Sequence, residues 1–84
     1  SNPNQSQERK IMFTHLPSRC IIKIFTVSGV LVDQIEVDNG NEDGITYWDL
    51  LSNEGLQVAA GMYVYHVQSQ ITDKFKIGKF AIIK

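Results

Sequence analysis

The second half of the chain constrains the fold more than any other stretch. Tyr47-Trp48-Asp49 is followed by Asn53-Glu54-Gly55, then Gly61-Met62-Tyr63-Val64-Tyr65, and Lys79-Phe80-Ala81-Ile82-Ile83-Lys84 closes it. Aromatic and β-branched residues recur at a period of two, with glycines between the runs, which is the pattern of strands joined by turns. No period of three to four competes over a useful length. The same pattern continues upstream: Ile11 to His15 reads as a first strand, stopped by Leu16-Pro17-Ser18. Cys20 to Val27 and Val30 to Val37 are the next two, with Ser28-Gly29 as the tight turn between them. Asp38 to Gly44 is a polar loop. Ile45 to Leu50, Met62 to Gln70 and Lys74 to Ile83 complete the set. Six or seven short antiparallel strands predict an all-β, Ig-like or fibronectin-like sandwich.

With 84 residues there is room for one domain and one core. Ser1 to Arg9 is polar and has no apolar period, so it reads as a linker or expression remnant; Lys10 to Lys84 forms the domain. Alternation predicts a core of Phe13, Ile22, Ile24, Val32, Trp48, Tyr63, Tyr65, Val67, Phe80 and Ile82. Val32 and Ile35 can both face it only across a bulge. Phe25, Val27, Val64, Ile77 and Ile83 fall on the other face, too many apolar residues for a fully solvated sheet, and point to a partner or an adjoining domain.

Charge and cysteine usage exclude several classes. The net charge is −1, so no overall field draws nucleic acid or anionic lipid. Seven of the nine acidic residues lie between Asp33 and Glu54, which makes one face or end acidic. Cys20 is alone and cannot form an intramolecular disulfide. No run approaches the roughly 18 apolar residues needed to span a bilayer. No signal peptide opens the chain, which for a piece of a longer protein does not argue against secretion.

Each apparent site has a simpler explanation in backbone or packing. Asn39-x-Asn41-x-Asp43-Gly44 opens like a calcium loop, but Leu50 stands where the closing glutamate belongs, so a hairpin loop is favoured. His15, His66 and Cys20 lack metal-ligand spacing, and His66 is expected exposed on a strand. Cys20 in an apolar strand behaves as a small hydrophobe. Asp49 has no partner carboxylate and suits a turn-capping role. Tyr63 and Tyr65 would stack on sugars only if they faced out, and alternation places them inward. No cofactor or metal is implied, and an enzyme is the least favoured class.

The residues do carry a resemblance. Ile22-Lys23-Ile24, Gly29, Val32, Trp48-Asp49, Gly55, Val58, Gly61, Tyr63, Tyr65, Lys79, Phe80, Ile82 and Lys84 follow the order found in C-terminal sorting domains of type IX secretion substrates. Those domains share a sandwich with the Ig-like domain of the flagellar hook-capping protein. The match spans about Ile11 to Lys84. Leu50 stands where the family often has glycine, and His66 where it often has arginine. The resemblance implies a non-catalytic domain at the end of a larger secreted protein, reaching the outer surface through the periplasm. Its partners would be the translocation and sortase machinery and the preceding domains of the parent. The recognition segment would be Lys79, Phe80, Ile82, Ile83 and Lys84, with Gly55 and Gly61 serving turns. The alternative is an Ig-like spacer or docking module of an extracellular enzyme or adhesin, or, with less support, a carbohydrate-binding module.

Overall fold

A computed structural model describes residues 9–38, 40 and 44–84. Among the described residues the chain forms six strands: β1 (Ile11–Leu16), β2 (Arg19–Thr26), β3 (Leu31–Asp38), β4 (Gly44–Trp48), β5 (Gly61–Ser69) and β6 (Phe75–Ile82). All pairings are antiparallel. β1 and β4 make a two-stranded sheet, and the order β3-β2-β5-β6 makes a four-stranded one. Their apolar faces meet in one core, as the small β-sandwich expected from the sequence requires.

Alternation places the core as expected in most strands. Ile22 and Ile24 of β2 are fully buried, Trp48 of β4 nearly so, and Phe13, Tyr63, Val67 and Ile82 join them. Each buried isoleucine contributes roughly 1.5–3 kcal/mol through area removed from water. Val32, Tyr65 and Phe80 are only half-buried and pack against this cluster from its margin. Leu16, Cys20, Val37 and Val58 complete it. Leu16 was expected in the turn after β1, but the backbone bulges there. Phe13 faces Thr46 and Leu16 faces Gly44, so two residues of β1 oppose one of β4. His15 absorbs the extra residue with φ 56°, and Leu16 turns inward.

The bulge required in β3 is present. Ile24 lies opposite Asp33 and Phe25 opposite Leu31, which leaves Val32 as the additional residue. Its carbonyl is free of the ladder and accepts the Asn53 N–H at 2.9 Å, tying β3 to the segment after β4. The β2–β3 turn closes through Gly29 N–H to Thr26 O at 2.9 Å, as Ser28-Gly29 implied.

β6 contains a glycine for a packing reason. Tyr65 lies opposite Gly78, and its ring covers the glycine so closely that a Cβ would sit 2.4 Å from ring atoms. That ring is also held edge-on by Phe13, centroids 5.3 Å apart, and stacked on Phe80 at 6.2 Å. Gly78→Ala should therefore displace Tyr65 and destabilise the domain by about 1–3 kcal/mol, the usual cost of overpacking. Urea denaturation checks this, and combining it with Tyr65→Ala should remove most of the added penalty.

Candidate functional site

The sequence singled out the last strand and its terminal lysine, and the fold puts β6 at one edge of the four-stranded sheet. Among the described residues β6 pairs with β5 alone, so its other side carries backbone groups without ladder partners. The five proposed recognition residues divide by face. Ile82 is buried in the core, and Phe80 is half-buried between Tyr63, Tyr65 and the Trp48 indole. Lys79 and Ile83 are exposed. Lys84 turns back and donates through Nζ to the Val58 carbonyl.

Arg9, expected in the linker, donates through Nη1 to the Ile83 carbonyl at 2.8 Å. With Lys10, Asp49 and Leu50 it borders a shallow depression of about 670 Å³ around Lys84. Only a cation just ahead of the first apolar run hinted at this contact.

A second concavity lies where the two sheets fail to overlap. A groove of about 380 Å³ runs between β1 and β6, floored by Phe13, Tyr65 and Phe80 and bordered by Lys74 and Lys76. Sequence reasoning missed Lys74 and Lys76 as site residues; their position beside an edge strand was the available signal. Neither Lys76 nor Lys79 has a carboxylate partner among the described residues.

The other sequence candidates fall into structural roles. Asp49 accepts the Leu51 N–H at 3.1 Å, a turn-capping bond. Trp48 and Tyr63 are interior, and the exposed aromatics Tyr47 and Phe75 lie on strands of different sheets, so no sugar-stacking row forms among the described residues. His66 is half-buried rather than exposed, stacked on Phe75 with centroids 5.5 Å apart. Asn39, Asn41 and Asp43 of the calcium-like loop lie outside the described residues. Gly55 closes a turn through its N–H to the Ser52 carbonyl at 2.9 Å with φ 80°, whereas Gly61, expected to serve a turn, is the first residue of β5 opposite Ile82, with φ 145°; an L side chain resists both conformations.

No family profile matches the chain, and no curated protein matches it. Among solved structures it is similar to PorZ of Porphyromonas gingivalis, an essential bacterial surface component of the type IX secretion system, at 22% identity and a TM-score of 0.61. The match covers 96% of this chain and 12% of PorZ, so the chain spans a small part of that protein. At that identity the likeness concerns the fold.

Leu50 adopts φ 66°, the left-handed conformation that favours glycine, while its side chain packs against the core. Leu50→Ala loses packing and keeps the strain, whereas Leu50→Gly loses packing and relieves it. The glycine variant should be the more stable of the two by about 1 kcal/mol in urea titration. Burial raises the Cys20 thiol above its ordinary value of 9.0. The unfolded chain therefore ionises this thiol first, so its contribution to stability is complete below about pH 9 and is lost as pH rises further. A thiol reagent should leave folded protein unmodified and react in denaturant, and Cys20→Ala should flatten the alkaline decline.

Proposed function

We propose that the chain is a non-catalytic sorting domain of a protein handled by the type IX secretion system. It would reach the outer surface and be read there by the translocation and attachment machinery. The observation that carries this reading is the fold likeness to a segment of PorZ over nearly all of this chain. The ordered motif from Ile22 to Lys84 adds to it. The physical arrangement suits a recognition module: the aromatic residues of the motif are spent on the core, and an edge strand with exposed cations remains. Lys79, Ile83 and Lys84 are the side chains proposed to meet the machinery, while Phe80 and Ile82 hold the strand in place.

The runner-up is an Ig-like docking module. It is favoured by the outer face of the four-stranded sheet, where Leu31, Met62, Phe75 and Ile77 are exposed and Phe25 and Val64 half-buried. Such a face suits contact with an adjoining domain.

Export of a reporter distinguishes the two. Residues 10–84 fused behind a periplasmic reporter, in a host carrying the system, should bring it to the surface. Deleting the segment from Lys79 to Lys84 would also remove Ile82 from the core, so the sharper variant is Lys79→Ala, Ile83→Ala and Lys84→Ala together. Loss of export with unchanged circular dichroism supports the assignment. Undiminished export by this folded variant would overturn the assignment of those side chains, and no export by the parent fusion would overturn the sorting role.

A further inference from the structure

We infer that the free edge of β6 and the adjoining groove form a docking site for one extended segment of a partner protein. That segment carries two carboxylates three residues apart among apolar residues. Three independent features converge on it. The first is backbone: β6 is an eight-residue edge strand, paired on one side only among the described residues. A strand added there gains main-chain hydrogen bonds whatever its sequence.

The second feature is the groove. A two-stranded sheet cannot cover a four-stranded one, so β1 stops short of β6 and leaves Phe13, Tyr65 and Phe80 as an apolar floor beside the edge. The register sets which side chains border it. Gly78, Phe80 and Ile82 lie opposite Tyr65, Tyr63 and Gly61 on the inner face, and Lys76 lies opposite Val67 on that same face. Phe75, Ile77 and Lys79, opposite Gln68, His66 and Val64, belong to the outer face. An incoming strand therefore places apolar residues opposite Gly78 and Phe80, where they enter the groove.

Charge is the third. From residue 55 to residue 84 the chain holds four lysines and a single acid, Asp73 in the turn before β6. Lys76 and Lys79 are exposed, lack carboxylate partners among the described residues, and lie three residues apart on opposite faces. Carboxylates opposite both positions, directly across the strand, match them. The other edge of the sheet, β3, bears Glu36 and Asp38 and would repel such a segment. A second copy offering its own β3 meets the charge requirement but not the groove, because the inner side chains Ile35 and Val37 already pack in their own sandwich. A lone segment satisfies all three features.

The test uses the protein as described and a capped synthetic peptide with two glutamates three residues apart among valines and threonines. The comparison peptide has lysine in place of glutamate. In heteronuclear NMR the acidic peptide should shift amides of Phe75 to Ile82 and of β1, with weaker binding as salt is raised. Lys76→Glu with Lys79→Glu should weaken it about tenfold, as loss of two ion pairs and their reversal implies. Lys23→Glu, on the outer face of β2, should change it by less than about twofold. Equal binding of the lysine peptide, equal loss in Lys23→Glu, or shifts confined to β3 would overturn the site. So would concentration-dependent self-association in sedimentation that the two β6 substitutions abolish, which would make the occupant a second copy. Peptide binding is measured on the isolated domain and stands or falls separately from export of the reporter.

Discussion

The Trp48 indole holds the two sheets in one arrangement. Its N–H is shared between the Asp33 carboxylate and the Leu51 carbonyl, each at 3.0 Å. Its ring meets Tyr63 and Phe80 edge-on, at 6.0 to 6.4 Å between centroids. One side chain from the narrow sheet thus contacts β3 at one edge of the wide sheet, and β5 and β6 towards the other. Burying the indole N–H unpaired would carry a substantial desolvation cost, so its acceptors must be supplied by the chain around it. Asp33 supplies one from just beyond the Val32 bulge, and the segment after β4 supplies the other.

The bulge links these contacts. It places Val32 against the core margin, next to Asp33, which regular alternation with Ile35 and Val37 already puts opposite Ile24 on the inner side of the sheet. It also releases the Val32 carbonyl for Asn53. The segment from Leu50 to Ala60 is consequently anchored at several points: Val58 is buried, its N–H reaches the Leu50 carbonyl at 3.2 Å, and the Tyr63 hydroxyl donates to Ala59 at 2.7 Å. The Lys84 ammonium reaches the Val58 carbonyl on the same segment. The end of the last strand is thereby held by the core-facing loop, while among the described residues the middle of β6 is paired on one side only.

Much of this was legible from local pattern, because a strand with one buried face writes its orientation into alternate residues. Ile22, Ile24, Tyr63, Val67 and Ile82 could be placed inward on that basis, and the mismatch between Val32 and Ile35 announced a bulge. Leu16 could not be placed, since its burial depends on His15 adopting a left-handed backbone that nothing in the local sequence demands. Val58 lies in an irregular segment where a period of two carries no information. Alternation also separated the faces of the recognition segment, Phe80 and Ile82 inward and Lys79 and Ile83 outward, but it did not show that Phe80 would be only half-buried at the sheet edge. Asp33 looked like one member of an acidic surface, yet its partner is an indole fifteen residues away in sequence.

The amino-acid sequence by itself determined that this chain makes short antiparallel strands around an aromatic core, because residue alternation, turn glycines and β-propensity are all local properties. Tertiary structure decided what that core leaves uncovered. The narrow sheet covers only part of the wide one, and this difference in strand number opens the groove beside β6 and leaves Lys76 and Lys79 on opposite faces of an edge that is unpaired among the described residues. Strand pairing joins residues far apart in the chain, so which edge remains unpaired is a property of the assembled sheets.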